Sequence, residues 1–433
     1  MSAATGLPNP VRLPVGAQAL GWFARPVSFL ARQHAEHGDV FTMRLPQEGP
    51  WVILAHPDAV REVFTGDPSK LLAGEGNEVL APVLGPRSVL LLDGPEHLRE
   101  RRLLLPPFHG ERMQRYGALM REIAEAEIAT WPAGTSFPLA PRMQAVTLEI
   151  ILRAVFGLKE GARLDGLRAA LAALLELISK PASFATVLAI GAERAVRLPV
   201  FRRVLDPVDR LIHEEIRARR GSADLAARED ILSLLLQATH ESGEPMGDDE
   251  LRDELVTLLV AGHETTATAL SWAVERLLRT PGAMERLRDD GPEYSLAVCH
   301  ETLRLRPVIP LVLRRLTEPM TIAGHELPAG VKVAPCVTLV HRRADLYPDP
   351  HAFRPDRFLG VKPGTYTWIP FGGGVRRCLG AAFALFEMQA VLEAIAARAP
   401  LRPARPEREL TMRRSITFAP DRGAEVVSAR RAS

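Results

Sequence analysis

One cysteine constrains this chain more than any other residue. FGGGVRRCLG runs from Phe371 to Gly380, with three glycines ahead of Cys378 and a fourth two residues after it. Glycine admits left-handed turns and close approach of the backbone to a neighbour. The residues from about Leu379 to Arg398 read as a helix. A helix start aims unpaired N–H groups and the positive end of a dipole at whatever precedes it. A thiol in that setting is expected to have a lowered pKa and to present a thiolate.

Cys299 and Cys336 have no such surroundings and read as core residues. No CxxC pair exists, which argues against a zinc cage or a disulfide framework. A reducing cytoplasm is the expected compartment.

The 433 residues would by length alone suggest two or three domains. The order of elements argues for one. VFTMRL (Val40 to Leu45) and WVILA (Trp51 to Ala55) read as a hairpin, and HPDAVREVF from His56 as a helix. Residues 66 to 95 are rich in Gly and Pro and read as a long irregular loop. From about Glu96 to about Arg306 the chain is mostly helical. Met113, Tyr116, Met120 and Ile123 recur at helical spacing, and Leu164 to Ile178 is rich in Ala and Leu. Breaks are expected at Pro181, Pro199 and Pro207. Asp230 to Ala238 and Asp248 to about Arg279 read as further helices, the second with an acidic first turn. MTIAGHEL and VKVAPCV are short strands, residues 341 to 371 have little regular structure, and ITFAP with GAEVVSA reads as one small β element. Helices in the middle and strands at both ends fit one large, mainly α domain with a smaller β region.

Apolar residues make up 47% of the chain, enough for a sizeable core. The balance of 54 basic and 52 acidic residues gives +2, with no general attraction for nucleic acid. MSAATGLPNPVRLPVG lacks a basic segment followed by an apolar run, so no signal peptide is expected. No apolar stretch reaches the roughly eighteen residues of a membrane span, so no membrane anchor is expected.

Polar residues inside apolar helices carry the remaining signal. AGHETT, Ala261 to Thr266, interrupts the long helix. Ala261 and Gly262 leave room against it, and the Thr265 hydroxyl can bond a carbonyl one turn back. ETLR puts Glu301 and Arg304 on one helical face, and FRPDRF follows at 353 to 358. DGPEHLRERR sets His97 and Arg101 one turn apart, and VLRRLTEP carries Arg314 and Arg315.

Together these segments resemble the cytochromes P450. The cysteine segment is similar to that family's haem-binding loop at every fixed position: Phe371, Gly372, Gly374, Arg376, Cys378 and Gly380. The resemblance implies the P450 fold, with haem b between the long helix and the cysteine loop. Cys378 would be the iron ligand, Arg376 a propionate partner, and Phe371 a neighbour of the sulfur. AGHETT resembles the oxygen-activating motif. Thr265 would hydrogen-bond dioxygen or its waters, Glu264 would relay protons, and Ala261 would lie against the haem. Glu301, Arg304 and Arg357 match a buried structural cluster. His97, Arg101 and Arg314 match further propionate partners, although Arg315 competes with Arg314 for that place.

The resemblance covers about Gly21 to Val427, with residues 1–20 an N-terminal extension and 428–433 a tail. It implies insertion of one oxygen atom from O2 into a lipophilic substrate such as a fatty acid, terpenoid or polyketide. Electrons would come from NAD(P)H through a separate ferredoxin or flavodoxin with its reductase, docking on a basic face near Arg99, Arg102 and Arg377. The substrate pocket is expected at Val260, Ala261, Ile309, Leu311, Val312, Ile416 and the loop 73–92. A monomer is expected. A peroxide-using peroxygenase and a non-catalytic haem sensor are the rival readings; Glu264 with Thr265 counts against the first, and the intact oxygen motif against the second.

Overall fold

The computed structural model describes residues 6–108, 112–158 and 161–429. The first five residues of the expected extension and the last four of the expected tail lie outside that set.

Helices α1 (Val15–Ala24) and α2 (Pro26–His37) precede the expected hairpin, β1 (Val40–Leu45) and β2 (Gly49–Leu54). Trp22, Phe29, Phe41 and Trp51 join them in one apolar cluster. The stretch before Gly21 is part of this body. Val11 N–H bonds Thr42 O at 2.8 Å, and the buried Gln18 side chain accepts Arg44 N–H at 2.7 Å. These bonds complete the polar edge of β1, so the boundary drawn at residue 21 moves toward the N-terminus.

Helix α3 (Pro57–Thr65) is capped by His56, which accepts from Asp58 N–H. The stretch after it is less irregular than expected: β3 (Leu71–Leu72), a 3-10 turn and α4 (Ala81–Leu84) occupy it. Asp93 organises the turn by accepting from Ala73 and Gly74 N–H at 2.9 and 3.0 Å. Such side-chain caps leave no periodic trace.

The helical body holds α5 (Gly94–Leu104), α6 (Arg112–Ala129), then β4 (Ser136–Pro138), α7 (Ala140–Phe156), α8 (Ala162–Ser179), α9 (Pro181–Ile190), α10 (Ala192–Ala195), α11 (Pro199–Arg220), α12 (Ile231–Gln237) and α13 (Asp248–Leu278). Pro181 and Pro199 begin helices, where a missing N–H costs nothing. Pro207 does not break one: α11 runs through it. An internal proline costs about 3 kcal/mol. The same helix buries Phe201, Leu205, Val208, Ile212 and Ile216, each worth about 1.5–3 kcal/mol. Burial wins.

Helix α13 spans 31 residues through the middle of the molecule, packed by α7 on one side and α17 on another. Next come α14 (Ala283–Asp289), α15 (Pro292–Leu305), β5 (Arg314–Leu316), β6 (Met320–Ile322), β7 (His325–Leu327), β8 (Lys332–Pro335), α16 (Val337–Val340) and α17 (Ala381–Arg398). Strands β9 (Leu401–Pro403), β10 (Thr411–Arg414), β11 (Thr417–Pro420) and β12 (Glu425–Ser428) end the chain.

The largest sheet has the order β1-β2-β8-β5-β3, with β2 and β8 parallel. The C-terminal strands do not form one element. β11 pairs with β10, whereas β12 lies between β4 and β9. β12 pairs Ser428 with Leu401, and Ala429 N–H bonds Pro400 O at 2.9 Å. The expected tail therefore starts later than residue 428.

Candidate active site

The glycines before Cys378 answer two different demands. Gly372 and Gly374 have φ of 65° and 63°, in the left-handed region. A side chain at Gly373 would strike the Phe64 ring of α3 at 2.1 Å, and one at Gly374 would strike Phe64 O at 2.1 Å. The turn closes through Cys378 N–H to Phe371 O at 2.9 Å. The Phe371 ring meets Trp368 edge-on, with centroids 5.8 Å apart. Gly380 caps α17, which begins at Ala381, three residues beyond the sulfur. Gly380 has φ of −86° and no protein atom within 4 Å of where a Cβ would stand, so neither conformation nor protein packing calls for glycine there.

The Cys378 side chain has an open face although it lies deep in the molecule. That depth raises the thiol pKa, against the Gly380 N–H and the charges of Arg101 and Arg377, which lower it. The expected lowering is therefore reversed in the protein alone, because loss of hydration outweighs the helix start. A coordinating metal cation deprotonates a thiol outright.

Four basic side chains converge beside this sulfur. His97 is buried, and its pKa falls to about 3, first through burial and then through Arg376, Arg101 and Arg314. Arg314 is buried and also lowered, to about 10, by burial and by Arg376. Arg315 pairs with Glu75, whereas Arg314 faces the cluster. Arg376 pairs with Asp93 and bonds Val89 O at 3.1 Å. The Asp93 carboxylate is already engaged by the backbone of Ala73 and Gly74. This cluster thus holds more positive charge than its acid can balance, and buried charge calls for a partner. A soft sulfur ligand with an open face beside unbalanced cations fits an iron porphyrin carrying two carboxylates.

On α13, Ala261 is exposed in a helix otherwise buried from Leu251 to Leu259 and from Thr266 to Leu277. Gly262 packs against Ile151 of α7, so only Ala261 of the small pair leaves open space. Thr265 Oγ1 donates to Ala261 O at 2.7 Å. His263 is buried and bridges to Thr147 of α7, Nδ1 to Oγ1 2.9 Å. Glu264 lies beside a cavity of about 750 Å³ lined also by Glu149, Arg153, Arg168 and Arg414. Burial raises its pKa, against the Arg414 charge and a Thr417 hydrogen bond.

The three residues of the expected structural cluster meet. Arg304 and Glu301 are both fully buried and doubly bonded, at 2.6 and 2.8 Å. Arg304 also donates to His341 O, Pro350 O and Ala352 O. Arg357 Nε reaches Glu301 Oε1 at 3.3 Å. His341 bonds Arg304 O through Nδ1 at 3.1 Å and accepts Ile369 N–H at Nε2, 2.8 Å. The irregular stretch before Phe371 is thus fastened by side chains of α15 and its surroundings.

A family model for cytochrome P450 matches residues 8–412. The chain belongs to the cytochrome P450 family. It is 42% identical to "Putative cytochrome P450 135B1" of Mycobacterium tuberculosis, over 98% of this chain and 92% of that one. "Putative cytochrome P450 137" of the same organism is 37% identical, over 98% and 91%. The solved structure titled "Retinoic acid bound cyanobacterial CYP120A1" superposes with a TM-score of 0.83 at 23% identity, covering 98% of this chain and 99% of that one. The heme domain of cytochrome P450DA superposes at 0.82 with 24% identity, over 98% of each chain. These two likenesses concern the fold. Cytochromes P450 are generally haem monooxygenases, and this chain is an enzyme of that kind.

The expected pocket residues of this P450 divide. Val260 and Ile309 are half-buried, Ala261 is exposed, and Ile416 is exposed beside the turn between β10 and β11. Val312 lies near Gly372 of the cysteine loop. Leu311 is buried in the apolar cluster with Trp22, Phe29 and Leu339. In this P450 Arg102 pairs with Glu241, and Arg377 is exposed next to the sulfur.

One residue escaped the sequence reading. Glu387 of α17 is buried, with its pKa raised by burial against a hydrogen bond from Thr266. The signal was a lone acid in AAFALFEMQAVL, the same kind of signal that marks Glu264.

Among the described residues of this P450, no helix is long and apolar enough to cross a membrane.

Proposed function

We propose that this P450 is a haem-thiolate monooxygenase that inserts one oxygen atom of O2 into a lipophilic organic substrate, by hydroxylation or epoxidation. The observation that carries this is the open thiol of Cys378 beside the underneutralised cluster of His97, Arg101, Arg314 and Arg376. When bound, a thiolate-ligated haem iron supplies the activation of dioxygen.

The chain's own residues then have distinct tasks. Cys378 is the sulfur ligand, and Gly372, Gly374 and Phe371 shape the turn that presents it. Gly380, whose side has no protein neighbour, leaves space beside the macrocycle. Ala261, exposed on α13, would offer a small side chain to the group. The basic cluster takes the propionates, with Arg forks suited to carboxylates. Thr265 holds a hydroxyl that can pass a proton, and its neighbour Glu264 lines the cavity that Glu149, Arg153 and Arg168 also line. A carboxyl whose pKa is raised by burial keeps its proton to higher pH than a free one, as a proton source requires. This pair favours dioxygen over a peroxide co-substrate.

The apolar character of Val260, Ile309, Val312 and Ile416 supports a fatty acid, terpenoid or polyketide substrate. Electrons from NAD(P)H would arrive through a ferredoxin or flavodoxin with its reductase, docking where Arg377 is exposed. Three unpaired cysteines suit a reducing cytoplasm.

The test is the carbon monoxide adduct of the reduced, haemin-supplied protein. A red-shifted Soret band that is lost in Cys378→Ser is expected. Protein that stays colourless, or an adduct without the shift, overturns the reading. A spin-state screen across the three substrate classes, followed by product identification, then narrows the substrate.

A further inference from the structure

Away from the sulfur, α5 meets the start of α13 through a second set of ligating side chains. Glu100 of α5, His240 of the loop before α13, and Glu250 in its first turn bring one ligand atom each within 4.8 Å of one another. Glu100 and Glu250 are buried and His240 is largely so. His240 Nε2 and Glu250 Oε1 are 3.1 Å apart. Two ligands on one zinc ion, each at roughly 2.0–2.1 Å in tetrahedral geometry, stand about that far from each other.

A separate observation points to a cation. Glu100 Oε2 and Glu254 Oε2 are buried and have no hydrogen-bond partner among the described residues. Glu254 lies one turn beyond Glu250 on the same face of α13, and the charges of Glu100, Asp253 and Glu250 act on it. Burial, then the Glu250 carboxylate, raises the Glu100 pKa. The nearby Asp253 is committed to Arg252 at 2.8 Å. Arg87 and Arg99 act on Glu100 only from exposed positions. Three buried carboxylates thus crowd together with two oxygens lacking a donor and the His240 ring beside Glu250 to offset them, a costly arrangement.

We propose that Glu100, His240 and Glu250 form a structural site for one divalent transition-metal ion, Zn2+ being the best match, which fastens α5 to the start of α13. Two carboxylate oxygens and one imidazole nitrogen suit zinc. Calcium and magnesium are excluded as resident ions because they seek all-oxygen shells of six or more ligands. A fourth position is left for water or for Glu254 after a rotamer change. Helix α5 also carries His97 and Arg101, so the ion would hold the propionate helix against the oxygen helix.

The test uses the full-length, haem-loaded protein, stripped with a chelator, returned to metal-free buffer and dialysed against ZnCl2. One equivalent should bind at micromolar free zinc and raise the thermal midpoint. His240→Ala and Glu100→Gln should each weaken binding by about 100-fold and abolish the rise. Glu100→Gln keeps a donor toward Glu250, so it separates ligation from folding. Failure to bind a stoichiometric equivalent overturns the site. Equal binding by both variants also overturns it, since the ion then sits on other histidines. A zinc-insensitive wild type that Glu100→Gln stabilises would assign the pair to a shared proton instead, and likewise overturn it.

Discussion

Arg304 and Glu301 touch twice, Nε to Oε2 at 2.6 Å and Nη2 to Oε1 at 2.8 Å, where neither side chain reaches solvent. Removing one partner strands a buried charge, at a cost of about 3–5 kcal/mol. Arg304→Ala also frees three carbonyls of the stretch that leads to Phe371. We predict that this variant unfolds at markedly lower urea and retains little haem. Lysine will not rescue it, because one ammonium cannot replace the planar fork. A urea midpoint equal to wild type would refute this.

The two sides of the cysteine turn should respond differently to alanine. At Gly374, φ is 63° and a Cβ would collide with Phe64 O. Gly374→Ala is expected to lower stability even in the haem-free protein. At Gly380 no protein atom opposes a Cβ. Gly380→Ala should leave the haem-free unfolding midpoint within about 0.5 kcal/mol of wild type while weakening haem uptake. Thermal scans with and without haemin measure both.

Glu264 should shape the pH profile. Burial raises its pKa above the ordinary 4.5, although Arg414 and Thr417 pull the other way. As a proton source it works only when protonated, so turnover should fall as pH rises through its folded pKa. Glu264→Gln should lower product formation by about 100-fold and flatten that limb. Retention of the wild-type profile in the variant would remove Glu264 from the role.

Buried histidines make the fold acid-sensitive. Burial lowers His263 and His300 to about 4 and His341 to about 3, so all three are neutral in the folded chain. Below pH 6.5 the unfolded chain takes up protons that the folded one refuses. Stability then falls with pH, by about 1.4 kcal/mol per unit per histidine. Buried acids such as Glu387, raised instead, act in the opposite sense. His300→Phe isolates one group while keeping the edge-on contacts to Phe358 and Trp368. Its stability relative to wild type should be constant above pH 6.5 and improve steadily from there down to about pH 4, as read from urea midpoints.

Residue types with only one physical use were legible in advance. The glycines before Cys378, the acid and threonine inside α13, and the Glu301–Arg304 pair all violate local expectation, and each proved to have a specific neighbour. What stayed hidden depended on distant partners. Pro207 reads as a break until the buried face of α11 is counted. ITFAP and GAEVVSA adjoin in sequence, yet β4, about 290 residues earlier, claims the second. Leu311 and Val312 look alike as letters, and only the direction of the chain sends one toward the cysteine loop and the other into the core. Asp93 ordered a stretch that composition marks as loose, because its carboxylate caps backbone groups twenty residues away.

The imidazole of His341 works as a rigid coupling between a helix and a loop. One nitrogen grips the C-terminal carbonyl region of α15 and the other the backbone two residues before Phe371. Tilting α15 therefore drags the loop with it, and the loop cannot flap alone. A redox protein pressing on the outer surface would lean on the helical frame, and the position of the Cys378 sulfur would be set by helix packing, insulated from jostling at the surface.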